Sequence, residues 1–250
     1  VLDTPPTAST AATVTSAAGT YPIVVSGGLD NNYTYTYTSG TLTITKATVT
    51  ATVSNATRIY GVANPTFTIT YSGFVNSETS AVLDVLPTTS TTAIISSNVG
   101  VYPINAVGGS DNNYTFNYVS GVLTITKATP VVTWNNPAAI IYGTALSAIQ
   151  LNASVPGSFV YSPAAGTILN AGVNQALTVN FTPTDGINFE PVTGTIVQIT
   201  VNKATPVLTW PAPGAITYGA PLSATQLNAS ANVGGTFVYS PASGTVLNAG

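Results

Sequence analysis

The sequence predicts an all-β chain of tandem small β-sandwich domains, with at most a short helix in each. Three observations carry that expectation: near-verbatim internal repeats, clean period-two alternation of apolar and polar residues, and Gly or Pro at short intervals between the alternating runs. Tyr21–Thr48 reads YPIVVSGGLDNNYTYTYTSGTLTITKAT and returns 81 residues later as YPINAVGGSDNNYTFNYVSGVLTITKAT, Tyr102–Thr129. KATPVVTW at Lys127–Trp134 returns 76 residues later as KATPVLTW at Lys203–Trp210. A chain made by copying one unit end to end is selected for reach and unit number more than for a single reaction centre.

The repeats set the expected boundaries. One complete repeat covers 47–127, and its second half is matched by 1–46, where Leu2, Asp3 and Pro6 correspond to Leu83, Asp84 and Pro87. A second type covers 128–203, and its first half is matched by 204–250, with LSAIQLNAS at Leu146–Ser154 echoed by LSATQLNAS at Leu222–Ser230. The 1–46 and 204–250 segments are therefore half-repeats, and the sequence reads as part of a longer polypeptide whose export signal lies elsewhere. Two completions of the halves stand open, either by flanking sequence of the same chain or by a neighbouring chain.

Taken in order, Tyr33–Thr38 (YTYTYT) and Thr41–Thr45 (TLTIT) alternate strictly, so they are expected to be strands joined at Ser39-Gly40 by a hairpin turn. Tyr114–Tyr118, Ser120-Gly121 and Val122–Thr126 repeat that expectation. Val, Ile, Tyr and Thr suit a pleated, half-buried surface. Asn76–Leu83 is the best helix candidate, with Asn76 or Ser77 as N-cap and Glu78 in the first turn; Leu146–Ser154 is a candidate helical turn. Lys-Ala-Thr joins one repeat to the next with no Gly/Ser-rich linker, which implies semi-rigid junctions.

Composition narrows the function. Charged residues make up 4% of the chain, where about 25% is usual. The four cations are Lys46, Arg58, Lys127 and Lys203, too few and too scattered for a nucleic-acid surface. No apolar run approaches the ~18 residues of a membrane helix, so this segment is not expected to insert in a membrane. Mean hydropathy is +0.35, which argues against disorder. A Thr, Ser and Asn surface carries little repulsion and permits self-association into a fibre or surface layer.

Ile59–Leu83 (IYGVANPTFTITYSGFVNSETSAVL) followed by Val99–Ala128 resembles the MBG repeat of the YGX type. The YG, YSP, GTxLNAG and FTPTD elements between Ile140 and Gly250 resemble bacterial Ig-like repeats. The resemblance implies tandem extracellular modules of a cell-surface or adhesin-like protein, acting as stalk or fibre, or alternatively gripping glycans. It supplies no catalytic residues.

Residues able to bear chemistry are few. The chain has no His and no Cys, which removes Ser-His-Asp and Cys nucleophile arrangements. The seven acids (Asp3, Asp30, Glu78, Asp84, Asp111, Asp185, Glu190) are partly copies of one another, so no catalytic, cofactor-binding or metal-binding residue is assigned and no enzyme is expected. Asp30–Tyr33, Asp111–Tyr114 and Asp185–Phe189 invite a calcium reading, yet each holds one carboxylate; an Asx-turn with the aromatic anchored in the core is the favoured reading. Lys46, Lys127 and Lys203 raise an isopeptide reading against that of lysines lying over an apolar seam. Thr34, Thr36, Thr41, Thr43, Thr45, Thr124 and Thr126 form rows like those of ice-binding faces, or simply solvated strands. Asn32, Asn55, Asn113, Asn152, Asn180 and Asn228 begin N-x-[ST] sequons. Trp134, Trp210, Tyr142, Tyr218, Tyr161 and Tyr239 recur in register and are expected to pack in cores.

Overall fold

A computed structural model describes all 250 residues. The chain is all-β and divides into two compact units, Val1–Pro130 with Thr182–Pro191, and Val131–Phe181 with Val192–Gly250. In the first unit, strands β1 (Thr7–Thr10), β2 (Gly19–Ser26) and β3 (Gly40–Ile44) form an antiparallel sheet in that order. The following repeat builds two sheets. One has β4 (Ala47–Val53) in the centre, β6 (Ile69–Ser72) antiparallel on one side and β9 (Tyr114–Val119) parallel on the other. The second orders β5 (Ala56–Ile59), β10 (Gly121–Thr126), β8 (Gly100–Val107) and β7 (Thr88–Ser90).

Alternation does what period two demands. Along β10, Gly121, Leu123 and Ile125 are buried while Val122 and Thr126 face out. Along β4, Val49, Ala51 and Val53 are buried. Val53 packs with Ile104, Ala106, Leu123 and Ile125 between the sheets, and Val49 packs with Leu83 and Tyr114 in a second cluster. Burying such side chains contributes roughly 1.5–3 kcal/mol each.

In the second unit, β11 (Ile140–Ile141), β14 (Val192–Asn202), β13 (Gly172–Pro183) and β12 (Gly157–Ser162) form one sheet in the order β11-β14-β13-β12. Trp134, Leu146, Leu151, Leu177, Val179, Val197, Ile199 and Val201 make its core. A two-stranded pair, β15 (Leu208–Thr209) and β16 (Ser230–Ala231), follows.

Three expectations are corrected. Ser120-Gly121 is not a hairpin turn: β9 pairs with β4, whereas β10 pairs with β5 and β8, so the chain crosses from one sheet to the other there. The crossing works because Gly121 passes against the carbonyls of Val53 and Ser54, where a Cβ would sit 2.7 Å from each oxygen. The Asn76–Leu83 helix shrinks to a 3₁₀ turn, Ser80–Val82, capped by Thr79 Oγ1 rather than by Asn76 or Ser77. Asn76 and Ser77 instead take left-handed φ values of 54° and 61°. Finally, Tyr33–Thr38 forms no strand, although its copy is β9. The cause is a missing neighbour: β9 is held by β4, and 1–46 contains no β4 equivalent. The Leu146–Ser154 turn is present as a single turn closed by Leu151 N–H donating to the Ser147 carbonyl.

Substituting Gly121→Ala should cost about 1–3 kcal/mol, since backbone oxygens cannot yield to the added carbon. The copy supplies its own control, because a Cβ at Gly40 meets the Ile23 side chain at an ordinary 3.5 Å. Gly40→Ala should leave the urea midpoint nearly unchanged while Gly121→Ala lowers it.

Candidate functional site

The aspartates come first, because they shape the loops that everything else uses. Asp111 Oδ1 accepts from the N–H groups of Asn113 (2.7 Å) and Tyr114 (2.9 Å), an Asx-turn. Its other oxygen accepts from Asp84 N–H, while Asp84 accepts from Asn112 N–H. Asp3 and Asp30 repeat that reciprocal clasp. Asp185 Oδ1 likewise holds Ile187 and Asn188 N–H, both at 3.1 Å. The carboxylates that invited a calcium reading thus spend acceptor positions on backbone amides.

Each turn places an asparagine just before an aromatic residue, and in the Asp111 and Asp185 turns that asparagine bonds the preceding repeat through its side chain and the start of its own repeat through its carbonyl. Asn113 Oδ1 accepts from Ala18 N–H at 2.9 Å, and Asn113 C=O accepts from Ala47 N–H at 2.9 Å. The same two bonds recur one repeat on: Asn188 Oδ1 accepts from Val99 N–H at 2.9 Å, and Asn188 C=O accepts from Ala128 N–H at 2.9 Å. Asn188 also donates from Nδ2 to Asn98 Oδ1 (3.0 Å) and to Asp185 Oδ2 (2.8 Å), so its carboxamide is fully engaged at 4% exposure. Phe189 meets Tyr60, the tyrosine of the YG element, edge-on at 5.4 Å. All these residues lie in the first unit.

The lysines belong to the same latch. Lys46 Nζ donates to the Asp111 carbonyl at 2.8 Å, and Lys127 Nζ lies 4.0 Å from Glu190 Oε2. Of the junction lysines, Lys127 is the one with a carboxylate beside it. Both members of that pair are partly exposed, so it adds little energy.

Two polar devices escaped the sequence reading. Tyr114, 2% exposed, donates its hydroxyl to Glu78 at 2.6 Å and accepts from Val75 N–H at 3.1 Å. Burial, reinforced by the Glu78 hydrogen bond, raises its pKa. Arg58, 5% exposed, has no acid partner and instead donates to Asn64 Oδ1, the Ile59 carbonyl and the Ile94 carbonyl. The i+6 spacing of Arg58 and Asn64 gave no motif to find. A cleft of about 340 Å³ lies beside Tyr114, lined by Ala18, Lys46's neighbours Thr45 and Ala47, Glu78 and Asn113.

Residues 2–43 and 47–124 match the family model of the MBG domain (YGX type). These residues, a little under half of the chain, are similar to the MBG domain. MBG domains are repeat domains of bacterial surface proteins. No curated protein matches the chain in sequence. Residues 125–250 lie outside the MBG match.

The aromatic expectation holds in part. Trp134 is buried against Tyr161, edge-on at 5.3 Å. Tyr142, Tyr218 and Trp210 are exposed, so their placement in a core is corrected. Tyr142 corresponds to Tyr60, whose ring is covered by Phe189, and no aromatic residue covers Tyr142 in the same way. Among the sequon asparagines, Asn55, Asn113 and Asn180 each accept from a backbone N–H through Oδ1.

Asn188→Ala should cost about 1–3 kcal/mol by leaving donors unpaired, and Asn113→Ala should cost less because its site is open to water. Urea unfolding followed by tyrosine fluorescence ranks the two. A pH dependence follows from Asp185, whose pKa is lowered chiefly by the Asn188 side-chain hydrogen bond, with backbone hydrogen bonds and Lys127 adding to it. A lowered folded-state pKa stabilises above the unfolded value and is lost as pH falls through the folded one. Stability should therefore drop on acidification below the usual carboxylate range, with a shallower drop in Asp185→Asn.

Proposed function

We propose that this chain is a structural, non-enzymatic segment of an extracellular bacterial surface protein, serving as a stalk or fibre-forming module. The observation that supports it is the latch, made twice with the same bonds: an asparagine on one repeat accepts through its side chain from a backbone N–H of the repeat before it and through its carbonyl from the N–H of the alanine that begins its own repeat. A joint of that kind transmits load through backbone hydrogen bonds and needs no charge, which fits a chain with four cations and seven anions. The MBG match supports the surface assignment. No helix is long and apolar enough to cross a membrane.

One observation favours a second reading, glycan contact: Tyr142 and Tyr218 present exposed rings at equivalent positions beside Asn170 and Asn248. Loss of glycan-array signal in the Tyr142→Ala, Tyr218→Ala double variant would support that reading.

Antibodies raised against the chain should label intact producing cells, and brief protease treatment of those cells should release it. Labelling that appears only after permeabilisation would contradict the surface assignment.

A further inference from the structure

The 47–127 repeat begins and ends along one ribbon, both sides of which lie within it. Its first strands, β4 and β5, run parallel to its last, β9 and β10, at a constant spacing of 67 residues. Six register pairs join β4 to β9, from Ala47–Tyr114 to Thr52–Val119, and four join β5 to β10, ending at Ile59–Thr126. Between these stretches both sides cross from one sheet to the other together, at Ser54-Asn55 and Ser120-Gly121. Asn55 Oδ1 closes the gap in the ladder there by accepting from Val122 N–H at 2.8 Å. Ala47 N–H to the Asn113 carbonyl (2.9 Å) and Tyr60 N–H to the Thr126 carbonyl (2.8 Å) carry the ladder past its end pairs. Threonines add side-chain bridges: Thr115 Oγ1 donates to the Ala47 carbonyl at 3.2 Å and Thr126 Oγ1 to the Arg58 carbonyl at 3.4 Å. Val49, Ala51, Val53, Leu123 and Ile125 are buried beneath, which keeps water from one side of the ladder.

This topology decides how force travels. Tension entering at Ala47 and leaving at Thr126 draws the two sides of the ribbon past each other along their length. Bonds in a parallel ladder are evenly spaced, so they share that load and must fail together. Tension applied to both sides at one end opens the same bonds one at a time. Forced unfolding is governed by the unfolding rate, so the two directions differ in strength although the fold is the same.

The 128–203 repeat has the same plan with a sparser ladder. Ala128 pairs with Phe189, and Ile140 and Ile141 pair with Val201 and Asn202, again in parallel. Between Thr129 and Ala139 no residue pairs with β14, and Thr133 bridges Ser154 instead. Asn136 Oδ1, accepting from Gln198 N–H at 3.0 Å, spans that interval.

We infer that the ribbon of Ala47–Ile59 with Tyr114–Thr126 is a shear clamp: it makes the 47–127 repeat the part of the chain that withstands tension, and the 128–203 repeat yields first. This rests on the structural-segment reading and deepens it by naming the residues that carry force and the order in which repeats give way.

The test is single-molecule pulling of the whole chain. It contains no cysteine, so thiol handles attach only where one is introduced. Thr45, Asn112, Thr126 and Asn202 are exposed, and circular dichroism checks that each substituted pair keeps the fold. Handles in Thr45→Cys/Thr126→Cys load the ribbon lengthwise, and handles in Thr45→Cys/Asn112→Cys load both sides at one end. Lengthwise rupture should need at least about twofold the force of end-on opening at the same loading rate. Handles in Thr126→Cys/Asn202→Cys should rupture the 128–203 repeat at a lower force than the lengthwise value for 47–127. Adding Asn55→Ala should lower the lengthwise force of the 47–127 repeat and leave its end-on force unchanged; a loss of equal proportion in both directions would mean that Asn55 only stabilises the fold. Equal forces in the two directions would overturn the clamp, and a 128–203 repeat as strong as 47–127 would overturn the order of yielding. None of these failures alters the cell-surface labelling result, so the two readings fail separately.

Discussion

A primary carboxamide that accepts from one backbone N–H and donates to two side-chain oxygens is what the remainder of the first unit is arranged around. Asn188 offers one oxygen to Val99, one N–H to Asn98 and another to Asp185, while its own carbonyl takes the Ala128 N–H. A buried amide with all its hydrogen-bonding capacity used is stabilising, whereas a partly satisfied one is costly. That asymmetry ties the surrounding pieces to one geometry. The Asp185 turn must present Asn188, the strand after Asn98 must begin where Val99 points inward, and Lys127-Ala128 must exit beside it. The same logic, with a more exposed asparagine, holds Ala18 and Ala47 to Asn113.

The shortage of charge follows from this choice of fastening. Backbone N–H groups survive every substitution except that by proline, are insensitive to salt, and need only a short acceptor on the facing loop. The chain accordingly holds itself together with Asx-turns, the Asp84–Asp111 and Asp3–Asp30 clasps, and carbonyls around Arg58, with a single wide ion pair at Lys127–Glu190. The large apolar residues left exposed on β2 and β8 sit on strand faces and edges rather than in a closed cavity.

Much of the fold was legible in the sequence because alternation and repetition are strong signals there. The TLTIT and VLTIT strands, the small-residue strand after Lys46, and the Asx-turns lie where the pattern puts them. Pairing was not legible. Ser120-Gly121 has the composition of a hairpin turn, and nothing local to it reveals that Gly121 passes two carbonyls of another strand. Tyr33–Thr38 has the strongest strand pattern in the chain and still lacks ladder bonds, since a strand needs a neighbour as well as a propensity. The latch itself was half visible. Asp-Asn-Asn-Tyr stood out as a turn, but its counterpart Asp185-Gly186-Ile187-Asn188-Phe189 is one residue longer, and the partners are backbone groups that carry no sequence signature. Tyr142 and Tyr218 looked like core residues because they recur, but both are exposed, and recurrence alone does not separate a buried position from a surface one.

The claim that asparagine-to-backbone latches fasten successive repeats is tested most directly by amide hydrogen exchange, read residue by residue at a dilution where the chain is monomeric. The N–H groups of Ala18 and Val99, each bonded to a latch asparagine, should exchange slowly, and that of Ala171, which meets no asparagine acceptor, should exchange fast. Equal exchange at all three would contradict the account.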